Sequence, residues 1–221
     1  ADITFLPGAE AARLDTTAHV LELADGRRLP YRSLLLATGA RARRLPFGGA
    51  PVHVLRTHAD SVALRGRLAS GRRVAVIGGG FIGLELASSA AALGCAVTVI
   101  ELGPRLMGRA VPARVAAVMA QRHVAAGVDI RCGTGVTGLE RTASGVMITL
   151  AEGGIVEADV VVAGVGAAPE TSLAEAAGIE VADGIVVDAR FATSAPDVFA
   201  AGDCCCYPHP LYDDRPLRLE S

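Results

Sequence analysis

With 221 residues and 51% hydrophobic side chains, the chain is long enough for one large or two small domains with a real core. A net charge of -2, with all 21 basic residues arginine, leaves no basic stripe for nucleic acid or an acidic membrane surface, and the lack of lysine removes Schiff-base chemistry. No stretch approaches the roughly 20 apolar residues of a membrane span, and no signal peptide is visible at the start.

In chain order, the first feature is a hairpin signal. Leu23-Ala24-Asp25-Gly26 turns an alternating strand back on itself, and Leu34 to Gly39 is an apolar run ending in Ala37-Thr38-Gly39. Arg41 to Pro51 is rich in arginine, glycine and proline and reads as a linker. Thr57 then caps a helix, with Asp60 three residues on.

From Arg73 the chain has the form of a dinucleotide pyrophosphate site. Arg73 to Ile77 is an apolar strand, Gly78-Gly79-Gly80-Phe81-Ile82-Gly83 is a glycine turn, and an alanine-rich helix follows to about Leu93. Gly78 permits the tight turn, Gly80 lets backbone N–H groups reach an anion at the positive helix end, and Gly83 lets the helix pack closely on the strand. Gly94 stops the helix, and Cys95 to Ile100 forms a second strand ending at Glu101. A carboxylate roughly 20 residues after the glycines accepts hydrogen bonds from ribose hydroxyls and repels a 2'-phosphate, so the expectation is NAD(H) over NADP(H). Arg105 lies close enough in sequence to swing toward a phosphate instead.

Pro112 to Ala126 reads as a helix with proline near its first turn, and Val128 to Arg131 as the next strand. A second hairpin turns at Glu152-Gly153 and feeds Val161 to Gly166, closed by Gly164-Val165-Gly166. The two hairpin-and-strand stretches match in order, so the chain looks internally duplicated. The second copy has its glycine fingerprint at Gly78, and the first would need one before Ala1, which points to a fragment. Composition therefore sets a self-contained domain over residues 48–167, with 1–47 and 168–221 pairing as the flanks. Five cysteines, three of them contiguous at Cys204 to Cys206, make neither a disulfide framework nor a metal spacing and read as small buried fillers in a reducing cytosol. The five histidines, His123 among them, have no catalytic context.

These motifs in this order resemble the pyridine-nucleotide-dependent flavoprotein reductases, most closely the FAD-containing ferredoxin reductases that serve aromatic-ring dioxygenases and bacterial P450 systems. The resemblance covers essentially the whole chain and rests on Leu36 to Gly39, Ile77 to Glu85, Glu101 with Pro104 to Met107, Gly164 to Gly166 with Pro169, Val198 to Asp203 and Arg218 to Ser221. It implies an α/β fold: a Rossmann-like three-layer NAD-binding domain, parallel sheet plus β-meander, flanked by pieces of an incomplete FAD-binding domain of the same type. It further implies hydride passing from NADH to FAD, then single electrons to an iron-sulfur ferredoxin. Carried over residue by residue, Asp203 after Gly202 would accept from the flavin ribityl chain, and Thr38 and Gly39 would lie by the flavin nucleotide. Glu85 would approach the nicotinamide amide as the catalytic-site acid, Gly164 to Gly166 would let the backbone come close to the nicotinamide end, and Glu220 would lie near the flavin ring. The expected amino-terminal flavin fingerprint and the carboxy-terminal domain that would complete the flavin pocket and a homodimer or partner surface are missing, so the fragment is expected to lose its FAD and to be inactive alone. Two alternatives remain open: another flavin-dependent reductase acting on disulfide, peroxide or oxygen, and a non-catalytic NAD-binding redox sensor. A small-alcohol dehydrogenase would need a base that no histidine supplies.

Overall fold

A computed structural model of the chain describes residues 3–108 and 110–218. It divides into two compact units, one formed by the stretch up to Arg41 with the stretch from Ala167 onward, the other by Ala42–Gly166.

In the first unit, β1 (Ala11–Asp15), β2 (Val20–Leu23) and β3 (Arg28–Pro30) form an antiparallel meander. β4 (Leu34–Leu36) follows, and β5 (Ala40–Ala42) leads the chain out. The second unit runs β6 (His53–Val54), α1 (His58–Arg65), β7 (Arg73–Ile77), α2 (Phe81–Ala92), β8 (Ala96–Glu101), α3 (Ala113–Ala125) and β9 (Asp129–Cys132). Its own meander is β10 (Val136–Thr142), β11 (Gly145–Leu150) and β12 (Ile155–Ala158), and β13 (Val160–Ala163) ends it. The chain then returns to the first unit through β14 (Ala167–Pro169), α4 (Ser172–Ala176), β15 (Val181–Ala182), β16 (Gly184–Val186), β17 (Val198–Ala200), β18 (Cys205–His209) and β19 (Arg215–Leu217).

The second unit is built on a five-stranded sheet in the order β6-β13-β7-β8-β9, parallel throughout. The pleat explains its three layers, because successive residues of a strand face opposite sides. Val74 and Val76 of β7, with Val160 and Val162 of β13, enter the core under α2 and α3. Ala75, Ile77 and Val161 enter the other core, beneath the meander residues Leu139, Ile148 and Val156. A strand buried on both faces reads as an unbroken apolar run, which is why Val74 to Ile77 shows no polar alternation. Each fully buried valine contributes about 1.5–3 kcal/mol of burial energy.

Local signals set the element ends. Thr57 Oγ1 accepts the Asp60 N–H at 3.1 Å while the Asp60 carboxylate accepts the Thr57 N–H at 2.8 Å, a reciprocal cap for α1. Strand β8 starts at Ala96, one residue later than the sequence suggests, because the Cys95 N–H donates to the Ala90 carbonyl and still belongs to the close of α2. Val128 is excluded from β9 for the same reason, its N–H donating to His123. Residues 42–47 fall in the second unit although their composition resembles a linker, since Leu45 and Phe47 pack on the meander core.

In the first unit, β4 and β17 pair in parallel, Leu36 opposite Ala200, and Leu36, Val198, Ala200 and Cys204 share one core. This unit repeats the meander-then-parallel-strand order of the second. Among the described residues no helix is long and apolar enough to cross a membrane, and no cluster of three or more metal-ligating side chains is present.

Candidate functional site

The glycine turn sits at the carboxyl edge of the parallel sheet, next to the place where the strand order reverses between β13 and β7. In open α/β sheets that position forms the ligand crevice. Backbone bonds extend the sheet into the turn: the Gly78 N–H donates to Ile100 and the Gly164 N–H to Ile77, each at 2.8 Å. Gly78 has φ +107°, and a side chain there would strike the Gly164 carbonyl. Gly83 presses α2 onto the strand so closely that a Cβ would overlap the Gly78 carbonyl oxygen. Gly80 is different. Its φ is -83° and an added Cβ would meet nothing within 4 Å, so the protein's own packing does not require glycine there.

Gly80 is also the N-cap of α2 and supplies no side-chain hydrogen bond to the helix's first amides. Twelve residues of aligned peptide dipoles therefore begin at a glycine with open space beside its Cα, and the positive end of such a helix favours an anion. Phe81 and Ile82, the first two helical residues, are exposed beside it.

Glu101, at the end of β8, is bound to this turn. Its Oε2 accepts the Gly79 N–H at 2.6 Å and its Oε1 accepts the Gly103 N–H at 2.7 Å. The loop after β8 closes the arrangement, with the Met107 N–H donating to the Gly79 carbonyl at 2.9 Å and Met107 held at φ +50°. Arg105 turns back on the same loop and donates to Gly108 O at 2.8 Å and to Leu106 O at 3.5 Å. Cys132 lies opposite Glu101 in the sheet, where burial first and the Glu101 carboxylate second push its thiol above the ordinary value.

Gly164, Val165 and Gly166 continue from β13 past the same edge. Gly166 has φ +97° and its carbonyl accepts the Arg43 N–H at 2.9 Å. Gly78 to Gly83, Glu101 and Gly164 to Gly166 thus converge within one unit. Glu85 is placed otherwise, exposed on α2. With Phe81, Leu84, Met107, Met119 and His123 it lines a cavity of about 660 Å³ between α2 and α3. Sequence reasoning passed over His123, which is buried, with Nδ1 2.8 Å from Met119 O and Nε2 3.1 Å from Leu84 O.

The remaining predicted residues belong to the first unit. Thr38 Oγ1 donates to Glu170 O at 2.5 Å and the Glu170 N–H donates to Gly39 O at 2.9 Å, so this strand end is bonded to the returning chain. Gly202, at φ +82°, turns the chain after β17, and Asp203 is buried directly behind it. The three contiguous cysteines are buried free thiols whose sulfurs face backbone carbonyls: Cys204 at Ala201 and Leu36, Cys205 at Gly202, Cys206 at Gly184. Glu220, with Leu219 and Ser221, lies outside the described residues.

A parallel sheet with an open glycine turn after β7, an acid at the end of β8 and a meander over its far face has the form of a dinucleotide-binding α/β protein. The chain belongs to the pyridine nucleotide-disulphide oxidoreductase family, whose model matches residues 1–217. It is 44% identical over 220 residues to the ferredoxin–NAD(+) reductase component of the anthranilate 1,2-dioxygenase system of Burkholderia cepacia, covering 97% of this chain and 53% of that protein. Among solved structures, the reductase in the covalent putidaredoxin reductase–putidaredoxin complex superposes with a TM-score of 0.91 at 38% identity, over 97% of this chain and 53% of that one. The ferredoxin reductase of the CYP199A2 system from Rhodopseudomonas palustris gives 0.92 at 37% identity, over 96% and 54%. The chain spans about half the length of the curated relatives it matches.

Proposed function

We propose that this chain is the nicotinamide-binding unit, with part of the flavin-binding unit, of an FAD-dependent NADH:ferredoxin reductase. The observation that carries the reading is Gly80: an open helix start, not required by packing, beside an acid already aimed at the turn. This fits the phosphates and ribose of NADH, with the amides around Gly80 to Ile82 holding the pyrophosphate and Glu101 the ribose hydroxyls. Gly164 to Gly166 would let the backbone pass close to the nicotinamide, and Glu85 would orient its amide. In the other unit, Thr38, Gly39, Gly202 and Asp203 would hold part of a flavin.

When bound, NADH supplies a hydride and flavin turns that electron pair into single electrons suited to an iron-sulfur acceptor. The protein's share is orientation. Gly78 and Gly83 fix the strand-to-helix angle, and Glu101 fixes the turn against the following loop. The names of the relatives, each a reductase paired with a ferredoxin or with putidaredoxin, support an iron-sulfur ferredoxin as partner. Five free cysteines suit a reducing compartment such as the cytosol.

The test is calorimetric titration of the chain with NADH and NADPH, followed by flavin content and NADH-driven reduction of a [2Fe-2S] ferredoxin in the protein carrying its full coding region. A flat NADH titration defeats the nucleotide assignment. NADH consumed by oxygen, peroxide or disulfide with no ferredoxin reduced moves the protein to another branch of the flavin-dependent reductases.

A further inference from the structure

Among the described residues, His123 meets two acceptors and no donor. Its Nδ1 lies 2.8 Å from the Met119 carbonyl of its own helix and its Nε2 lies 3.1 Å from the Leu84 carbonyl of α2. A carbonyl oxygen only accepts, and a neutral imidazole has one N–H, so either neutral tautomer leaves a ring lone pair facing an oxygen lone pair. The imidazolium has two N–H groups and satisfies both carbonyls. Leu84 immediately follows Gly83, so the second bond reaches the nucleotide helix in its first turns.

We propose that His123 is a positioning residue: protonated, it is a latch that ties α3 to the opening turns of α2 and holds the glycine turn in its anion-binding arrangement. Glu85, the ionisable side chain of α2, is an acid lining the same cavity.

The first measurement is independent of cofactor: imidazole 15N–1H spectra of the intact chain. Two protected ring N–H signals from His123, with couplings across hydrogen bonds to Leu84 and Met119, are expected. One protected N–H, or two that exchange as fast as those of an exposed histidine, overturns the proposal. The second rests on the NADH reading and uses His123→Gln, whose amide donates to one carbonyl only. NADH affinity should fall about threefold to tenfold in H123Q, as one of the two hydrogen bonds is lost. Unaltered NADH affinity in H123Q counts against the latch. If neither protein binds NADH the nucleotide reading fails, and the ring-nitrogen spectra alone then decide the latch.

Discussion

The Glu101 carboxylate accepts the Gly79 N–H at 2.6 Å, so the acid at the end of β8 is built into the glycine turn before any ligand arrives. Its other oxygen holds Gly103, which makes one side chain the junction between the turn and the loop beyond β8. Two consequences follow from removing it. Glu101→Ala leaves two backbone N–H groups without their acceptor, a loss of about 1–3 kcal/mol that a chemical denaturation curve would register. It also removes the ribose acceptor, and NADH affinity should drop by about tenfold or more. Unchanged NADH affinity in a folded E101A protein would take Glu101 out of the ribose site.

The glycines of the turn separate folding from binding. Gly83→Ala forces a methyl into the Gly78 carbonyl, and overpacking of that kind costs about 1–3 kcal/mol. Gly80→Ala has open space and an ordinary backbone angle, so stability should stay within about 0.5 kcal/mol of the parent. The same methyl stands where an anion would approach, and NADH affinity should fall about tenfold. Thermal melts and NADH titrations of the two variants, side by side, check the pair. A Gly80→Ala protein that binds NADH as well as the parent would show that this helix start is not the pyrophosphate seat.

Much of this arrangement is legible in the residues because local and global demands agree. The four-residue apolar run Val74 to Ile77 can serve both cores only as a central parallel strand, and Gly78 and Gly83 stand where packing admits nothing larger. What escapes is set by partners far away in the chain. Nothing in the sequence around His123 indicates that Leu84, 39 residues earlier, presents a carbonyl to it. Arg105 is close enough in sequence to reach a phosphate, and only the fold shows its guanidinium directed at Gly108 and Leu106. Leu45 and Phe47 are hidden in a stretch whose arginines, glycines and prolines read as linker, because composition cannot weigh two well-packed side chains.

The placement of Arg105 bears on cofactor choice. A 2'-phosphate needs a cation near the ribose, and this arginine is engaged with loop carbonyls, so E101A alone should not gain NADPH affinity. Leu102 is 77% exposed and directly follows the ribose acid. Glu101→Ser combined with Leu102→Arg replaces repulsion by a charge-assisted contact. NADPH affinity should rise about tenfold over the parent while NADH affinity falls. Titration with both nucleotides decides it, and a double variant still preferring NADH would place the specificity elsewhere.

Acid should weaken each unit through a different carboxylate. In the second unit the Asp159 carboxyl accepts the Arg73 guanidinium at 2.8 Å and the Arg73 N–H at 2.9 Å, joining the end of the meander to the start of β7. Those bonds, the guanidinium foremost, hold its proton affinity below the ordinary value of 3.8. In the first unit the Ser172 hydroxyl, followed by Arg41, lowers Glu170 from 4.5. A lowered carboxyl binds its proton more weakly folded than unfolded, so its contribution is complete above the unfolded value and disappears as pH falls through the folded one. Stability should therefore be level with respect to these two groups above about pH 5 and decline below about pH 4. Asp159→Asn removes one of them: its melting temperature at pH 7 should be about 3 °C lower, a modest shift because the Arg73 partner is partly solvated. Its acid decline should also be shallower than the parent's. Equal slopes for D159N and parent between pH 5 and pH 3 would assign the acid sensitivity to other groups.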